Sequence, residues 1–282
     1  ERLAHFFDGG SFFEVGIHGT QMGMGGRDDD KPPADAVVCG YGLVNGRNVA
    51  AAAYDFTVKG GSIGQTGEVK VTRLRELALR CRMPMVWFID SAGARIDPQG
   101  ALAGDNISLF AGSGHLFREE VIMSGVVPLV AAMVGPGAAG TAYIPGLADF
   151  VPMVKGQGSM ALGGPPLVKA VTGQEISEQD LGGSRVHCEV SGVGDVELPD
   201  EAACLKAIKD YLSFMPQHCG ERPPIVATAD PIDRRDEILL DIIPDSQRQA
   251  SDMYTVIKTL VDDGSYLDIK PRWPRNVPTS SA

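Results

Sequence analysis

The chain has 282 residues, of which 44% are hydrophobic and 22% charged, values typical of folded globular proteins that exclude extended disorder. Its 25 Lys and Arg against 36 Asp and Glu give a net charge of −11, which disfavours nucleic acid and anionic lipid as partners. Glycine is unusually frequent, at 35 residues, so many backbone positions must need positive φ or close approach.

The five cysteines are scattered and form no C-x-x-C pair, which predicts buried reduced thiols and neither a zinc ribbon nor a disulfide framework. The N-terminus has no signal-peptide pattern, and no apolar run without Gly or Pro reaches about 18 residues. We expect a soluble protein without membrane insertion in a reducing compartment, either the cytoplasm or, in a eukaryote, the mitochondrial matrix.

The first predicted element is a β-hairpin, because apolar runs at 37–44 and 49–54 are joined through Asn45-Gly46. The periodicity then changes to three and four residues, which predicts a helix over 67–82.

Two buried strands follow, and each runs into a glycine turn. The continuously apolar segment 85–89 leads into Asp90-Ser-Ala-Gly-Ala-Arg95, and the segment 126–134 leads into Gly135-Pro-Gly-Ala-Ala-Gly140. A helix over 107–123 is predicted between them. This alternation predicts an α/β fold with a mainly parallel sheet or with stacked turns of β-β-α units.

The C-terminal part contains an amphipathic helix over 202–214 and a Pro-rich, charged linker at roughly 217–245. Residues 7–15 and 261–269 share the pattern apolar-Asp-x-Gly-Ser-aromatic-apolar-acid-apolar. We therefore expect a domain over 1–245 and, in 246–282, a linker or helix and the start of a second, homologous half. Asp-Gly-Ser turns are common, so a chance match is the alternative.

Two short glycine motifs offer other chemistries. Gly60-Gly-Ser62-Ile-Gly64 matches the G-x-S-x-G pattern of hydrolases, but no sequence context singles out a histidine as the base. The turn 135–140 matches the dinucleotide pattern G-x-G-x-x-G. We expect Pro145 to break the helix that should follow, and the window 155–164 contains no acid for a ribose hydroxyl.

No metal site is predicted, because the chain has no H-x-x-x-H pattern or paired cysteines and the acidic run 28–30 is typical of a solvated loop. The two strand-end turns are better suited to an oxyanion hole, since a helix starting at Ala138 or Ala139 presents unpaired N–H groups. Residues 92–94 offer a second set of donors, and two donors must converge on one oxygen.

Four segments together resemble the biotin-dependent carboxyltransferases, the β-subunits of acyl-CoA carboxylases and their decarboxylase relatives. These segments are Asp55-Phe-Thr-Val-Lys-Gly-Gly-Ser62, Asp90-Ser-Ala-Gly-Ala-Arg-Ile96, Gly135-Pro-Gly-Ala-Ala-Gly-Thr-Ala-Tyr143 and Gly164-Pro-Pro-Leu-Val-Lys-Ala-Val-Thr-Gly173. Asp180-Leu-Gly-Gly183 with His187 and Ser191-Gly192 completes the series. The resemblance covers nearly the whole chain and implies a crotonase-like fold built from β-β-α turns.

The resemblance further implies that this chain is the N-terminal half, which holds the acyl-CoA, while the C-terminal half of a partner subunit holds carboxybiotin. Biotin on a separate carrier domain or subunit, a biotin carboxylase and a homo-oligomer are the implied cofactor and partners. Residues 164–170 and 180–183 slightly favour the methylcrotonyl-CoA branch of this family. The acyl group itself is left open.

By the same resemblance, Gly140 and Ala139 donate backbone N–H groups to the thioester oxygen, and Gly93 and Ala94 are the opposing donors. The family usually reads Ser-Gly-Gly-Ala-Arg where this chain has Ala92. The expected substrate-binding residues are Gly60, Gly61, Ser91, Ala92, Arg95, Gly137, Ala138, Thr141 and Tyr143.

The phosphates of CoA need cations, and basic residues cluster on the first predicted helix, although a solvated helix face is the simpler interpretation. These residues are Lys70, Arg73, Arg75, Arg80 and Arg82, with Lys59 and Arg95 as rivals. Two alternative functions stay open. One is an enoyl-CoA hydratase or isomerase of the same fold, which would need acids near the turns, and the other is a CoA-binding half without activity on its own.

Overall fold

The computed structural model describes residues 1–20, 33–95, 115–242 and 252–273. Within these ranges one mixed sheet of eight strands is flanked by helices on both faces. The strands are β1 (Phe13–Glu14), β2 (Val37–Val44), β3 (Arg47–Tyr54), β4 (Met85–Ser91), β5 (Leu129–Ala138), β6 (Pro152–Val154), β7 (Ser159–Ala161) and β8 (Val196–Leu198).

The helices connect these strands and continue beyond the last one. They are α1 (Arg2–Phe6), α2 (Gln65–Cys81), α3 (His115–Met123), α4 (Gly140–Leu147), α5 (Pro165–Thr172), α6 (Glu178–Gly182), α7 (Ser184–Val186), α8 (Glu201–Phe214), α9 (Ile238–Asp241) and α10 (Met253–Leu260). A π-helical turn, His187–Ser191, follows α7, and tight turns precede β2 and α2.

The sheet order is β1-β2-β3-β4-β5-β6-β8, with β7 also paired to β5. The first three strands are antiparallel, and all later pairs are parallel. The predicted hairpin is confirmed, because Asn45 and Gly46 both have positive φ, as a tight I′-type turn requires. The parallel part places the ends of β4 and β5 side by side.

Both faces of β4 and β5 are buried, as their continuous apolar sequences predict. One face packs against α2 through Val71, Leu74 and Ala78. The opposite face packs against α1 and α8 through Phe6 and Ile208. The sheet is therefore the rigid centre of the described molecule, and its strand ends position the loops.

Most predicted boundaries lie within a few residues of the observed ones. The helix predicted over 107–123 is observed from His115, and 107–114 lie outside the described residues. The expected break at Pro145 is wrong, since α4 continues to Leu147. The helix is only eight residues long, so the missing N–H of Pro145 removes little of its hydrogen bonding.

The cysteine prediction is only partly correct. Cys39, Cys188 and Cys204 are buried thiols, whereas Cys81 and Cys219 are exposed. Burial raises the pKa of Cys39 to about 11, so this thiol stays protonated. None of the described helices is both long and apolar enough to cross a membrane.

Candidate active site

The two glycine turns lie against each other at the ends of β4 and β5. Ser91 and Gly137 are register partners in this parallel pair. Gly93 has a φ of 89°, and a Cβ on it would lie 2.4 Å from the carbonyl oxygen of Ala138. Only glycine permits both this conformation and this close approach. The structure thus brings together the two turns that the sequence singles out.

The turn after β5 presents one backbone donor without an internal acceptor. The N–H of Ala139 already donates to the Ala161 carbonyl of β7 at 3.2 Å. Gly140 is the first residue of α4, and its N–H donates to no acceptor among the described residues. A Cβ at Gly140 would meet only the Ile63 side chain at 3.7 Å, so the backbone is approachable there.

The turn after β4 also leaves one N–H without an acceptor. The N–H of Ala92 donates to Gly60 at 2.8 Å, that of Gly93 to the Ser91 hydroxyl at 3.1 Å, and that of Arg95 to Ile63 at 3.1 Å. Within the described ranges the N–H of Ala94 makes no such bond. Of the four expected donors, Gly140 and Ala94 are therefore available, whereas the N–H groups of Ala139 and Gly93 are already used.

Ala139 carries backbone strain at the entrance to α4. Its φ of 48° and ψ of −116° are rare for a residue with a Cβ, and such conformations cost about 1–3 kcal/mol. This backbone conformation redirects the chain from β5 into α4, and its ψ sets the orientation of the peptide that carries the Gly140 N–H. Ala92, by contrast, has no positive φ, so alanine is tolerated where the family usually has glycine.

The Arg95 side chain has a structural role, because its guanidinium group is engaged in contacts within the protein. Its guanidinium group pairs with the buried carboxylate of Asp35 and donates to the Ser62 hydroxyl at 3.0 Å and the Ser62 carbonyl at 2.8 Å. Asp35 also accepts the N–H of Gly67 in the first turn of α2 at 2.9 Å. Arg95 therefore fastens the turn after β4 to α2.

Ser62 is correspondingly ill placed for nucleophilic hydrolysis. Its side chain is mostly buried and accepts a hydrogen bond from Arg95. Gly61 has a φ of 64°, and a Cβ there would lie 2.2 Å from the Asp90 carbonyl. The Gly60-Gly61 pair thus allows its loop to approach the end of β4.

Some of the remaining residues that are expected to contact the substrate are packed inside the protein, and others are accessible. Thr141 is buried, and its hydroxyl bonds both to the N–H of Ala138 at 3.1 Å and to the carbonyl of the same residue at 2.9 Å. Gly137 packs closely on Met133. Tyr143 is 47% exposed and touches Phe117 edge to face. Tyr143 is therefore the accessible side chain of this group.

The expected basic cluster on α2 is not a single surface. Lys70 is buried and donates to the Val37 carbonyl at 2.8 Å. Arg75 is fully buried, pairs with Glu68 at 2.7 Å and lies over the Trp87 ring. The exposed members are Arg73, Arg80 and Arg82. The last two line a separate pocket at the other end of β4, about 20 Å from the turns.

Sequence reasoning missed the backbone partners of the turns. Ile63 pairs with Ala94, and Ala161 accepts the N–H of Ala139. These residues act through main-chain atoms, so no residue type marks them in the sequence. Within the described ranges no group of three or more His, Cys, Asp or Glu side chains could hold a metal ion.

A family model for the carboxyl transferase domain matches residues 1–282. The chain belongs to the carboxyl transferase family. It is 38% identical over its full length to methylmalonyl-CoA decarboxylase subunit alpha of Veillonella parvula. It is 40% identical, again over its full length, to the methylmalonyl-CoA carboxyltransferase 12S subunit of Propionibacterium freudenreichii subsp. shermanii. The chain spans about half of these relatives, 54% and 52%.

Solved structures show the same carboxyl transferase fold, which is crotonase-like. The transcarboxylase 12S structure with hydrolysed methylmalonyl-CoA, described as a hexamer assembly, aligns with a TM-score of 0.88 at 38% identity. The alignment covers 96% of this chain and 52% of that chain. The β subunit of P. aeruginosa geranyl-CoA carboxylase aligns at 0.65 and 26% identity, over 94% and 47%. The predicted family and fold class are confirmed.

Proposed function

We propose that this chain is the acyl-CoA-binding half of a biotin-dependent carboxyltransferase. The reaction moves a carboxyl group from carboxybiotin to the α- or γ-carbon of an acyl-CoA. One observation carries the proposal: two turns in contact at the ends of β4 and β5 each offer one backbone N–H, at Gly140 and Ala94, that has no acceptor among the described residues.

Two such donors suit the oxygen of a thioester. When the acyl-CoA loses its α- or γ-proton, negative charge moves onto this oxygen and an enolate forms. Donors fixed before the reaction stabilise that charge without reorganisation, and one such donor is worth about 3–4 kcal/mol in other enzymes. Tyr143 and the Gly60-Gly61 loop border the same turns and are proposed to contact the acyl-CoA.

The described turns carry no side chain suited to removing the proton. Asp90, the nearest acid in sequence, forms an ion pair with Arg2 at 2.9 Å, and Asp35 is taken by Arg95. Loss of CO2 from carboxybiotin would supply the carboxyl group, and the ureido nitrogen that this loss leaves free would then accept the proton as the base. Backbone donors without an acid fit this chemistry and disfavour a hydratase, which needs acids near the turns.

The proposed partners are those that membership of the carboxyl transferase family implies. A C-terminal half in the same or another chain, a biotin carrier, a biotin carboxylase and a homo-oligomer complete the proposed system in the cytoplasm. The decarboxylase subunit of Veillonella parvula and the 12S subunit of Propionibacterium freudenreichii act on methylmalonyl-CoA, as their names state. Removal of the carboxyl group from methylmalonyl-CoA leaves propionyl-CoA, so propionyl-CoA and methylcrotonyl-CoA, which residues 164–170 and 180–183 favour, are the carboxyl acceptors to test.

The test is carboxyl transfer in a reconstituted system. This chain is mixed with a C-terminal half protein, biotinylated carrier, biotin carboxylase, labelled bicarbonate and each acyl-CoA, and labelled acyl-CoA is measured. We expect transfer only when both halves are present. Addition of water to an enoyl-CoA without any transfer would overturn the proposal, as would acyl-CoA binding with no transfer in every combination.

Gly140→Pro tests the donor directly. Proline removes the N–H but suits the first position of a helix. We expect turnover to fall by roughly 100- to 1,000-fold with little change in the acyl-CoA dissociation constant. Ala139→Gly is the matched control, because it alters the same turn and keeps every N–H. Retained turnover in Gly140→Pro would contradict the assignment.

A further inference from the structure

β7 lies directly behind the turn that presents Gly140. Its three residues, Ser159, Met160 and Ala161, pair with the last three of β5. The Ala161 carbonyl accepts the N–H of Ala139, the residue whose strained backbone directs the Gly140 N–H. Any displacement of β7 therefore moves the donor turn.

On its other side β7 is held by the segment 178–191, which contains the motif Asp180-Leu-Gly-Gly183 with His187. The Nε2 atom of His187 lies 2.8 Å from the Met160 carbonyl oxygen. A Cβ on Gly182 would lie 2.1 Å from the same oxygen, so glycine is required there. The Ser159 hydroxyl donates to the Glu178 carboxylate. Both Ser159 and Met160 thus have a partner in this segment.

The hydrogen bonds of His187 define its tautomer. A carbonyl oxygen only accepts, so Nε2 must carry the hydrogen. Nδ1 is then the acceptor, and it lies 2.8 Å from the Ser191 hydroxyl, which donates to it. Burial lowers the pKa of His187 below its ordinary value, which favours this neutral form. The imidazole is therefore a fixed neutral donor aimed at β7.

We propose that His187 is a positioning residue for the oxyanion turn. Its Nε2–H holds the Met160 carbonyl, β7 thereby holds the Ala139 peptide, and the Ala139 peptide sets the direction of the Gly140 N–H. This assigns a role to the motif of residues 180–191, and it rests on the proposed function for its effect on rate. The effect on backbone order does not depend on that function.

Two substitutions separate the role of Nε2 from simple packing. The side-chain amide of glutamine reaches the place of Nε2, whereas that of asparagine reaches only the place of Nδ1. We expect His187→Gln to keep the bond to Met160 and His187→Asn to lose it. His218→Asn is the control, because His218 lies in the separate pocket at the other end of β4.

Kinetics in the complete enzyme with both halves and the biotin carrier are the first readout. A small displacement of a catalytic group costs up to about 100-fold in rate. We expect His187→Asn to lower kcat by roughly 10- to 100-fold with the acyl-CoA KM nearly unchanged, and His187→Gln to stay within a few-fold of the unmodified enzyme. Equal kcat in His187→Asn and the unmodified enzyme would overturn the proposal.

Amide hydrogen exchange is the second readout, and it needs no activity. We expect the Ala139 amide to exchange faster in His187→Asn, but not in His187→Gln, while amides in the centre of β4 keep their protection in both. Loss of protection throughout β4 in His187→Gln as well would mark a general packing role and contradict the assignment. Absence of transfer in the unmodified enzyme would refute the proposed function alone.

Discussion

At the contact between the two turns, two residues have positive φ, but only one of them is conformationally strained. Gly93 takes a φ of 89° without steric penalty, whereas Ala139 takes a φ of 48° with a Cβ attached. The Cβ of Ala139 would lie 3.3 Å from one built on Gly93. The stored strain of the site therefore resides at Ala139, and Gly93 is the residue that lets the turns meet.

Gly93→Ala should separate the turns. The added methyl group would lie 2.4 Å from the Ala138 carbonyl oxygen, and the positive φ adds strain. We expect the free energy of unfolding to fall by about 2–4 kcal/mol and carboxyl transfer to be lost. Gly46→Ala is the control, since Gly46 has a φ of 76° with open space around it. Chemical denaturation should show a smaller loss there, with transfer retained.

The carboxyl group of Glu120 is fully buried beneath the sheet, beside Arg75. Glu120 has no role in the proposed site. Burial raises its pKa to about 7, although the Arg75 guanidinium opposes the shift. The folded state therefore binds this proton more tightly than the unfolded state, whose pKa is near 4.5. The free energy of unfolding must then decrease as the pH rises from about 4.5 to about 7.

Glu120→Gln should remove this pH dependence. A shift of this size corresponds to about 3 kcal/mol, lost between the two pKa values and absent from the amide variant. We expect the stability of the variant relative to the unmodified chain to improve from pH 5 to pH 8, measured by urea denaturation. Parallel stability curves for the unmodified chain and Glu120→Gln would refute the account.

At the scale of elements, the two copies of the Asp-Gly-Ser pattern fold alike. Each follows the end of a helix, α1 or α10, and the glycine of each copy has a φ of 74°. The serine N–H donates to the aspartate carbonyl at 3.0 Å in both, from Ser11 to Asp8 and from Ser265 to Asp262. The repeat seen in the sequence is thus also a repeat of local structure.

The side chains of the two aspartates differ in their partners. Asp8 accepts the N–H groups of Asn45 and Gly46 at 3.1 and 2.8 Å and so caps the hairpin turn. The exposed carboxylate of Asp262 has no such partner within the described ranges. The aspartate carboxylate of the first copy therefore stabilises a hairpin, whereas that of the second copy has no such hydrogen-bond partner among the described residues.

Asp8→Ala and Asp262→Ala form a matched pair. Loss of two bonds to a carboxylate should lower the free energy of unfolding by about 2–3 kcal/mol in Asp8→Ala. Asp262→Ala should leave this chain unchanged within about 0.5 kcal/mol. Thermal unfolding of both variants checks the difference. A similar loss in both would mean that the second copy is engaged in this chain as well.

At the scale of the whole molecule, the sequence predicts the fold where local chemistry and burial agree. Asn45-Gly46 marks the hairpin, and the apolar run 85–89 marks a strand buried on both faces. The meeting of the two turns is also predictable, because parallel strands end at one edge. The sequence does not predict which N–H groups are free to act as donors. The N–H of Ala139 donates to the carbonyl of Ala161, which lies 22 positions away, and an alanine at that position does not indicate this bond.

Charge patterns predict less, because burial depends on tertiary packing. The basic residues of α2 read as one cluster, yet Arg75 is enclosed by acids and Arg82 lies at the far end of β4. The division expected near residue 245 stays a prediction. Composition marks 217–245 as a linker, but contacts cross it.

The segment 252–273 returns to the edge of the sheet at β8. Lys270 pairs with the buried Asp195 at 2.9 Å, and Arg272 pairs with Glu197 at 2.9 Å. Asp195 in turn accepts the N–H of Val151 at 2.6 Å. The indole of Trp273 packs directly on Gly192. These contacts tie the expected second unit to the first.

Lys270→Met tests whether the contacts between the segment 252–273 and the sheet contribute to stability. It leaves one oxygen of a buried carboxylate without its cation, which should lower the free energy of unfolding by about 1–3 kcal/mol. Lys258→Met, on exposed α10, should cost nothing measurable. Removal of residues 246–282 should cost at least as much as Lys270→Met, because it also removes Arg272 and Trp273. If the shortened chain unfolds at the same denaturant concentration as the full one, residues 252–273 form an energetically separate unit and the division near residue 245 is real.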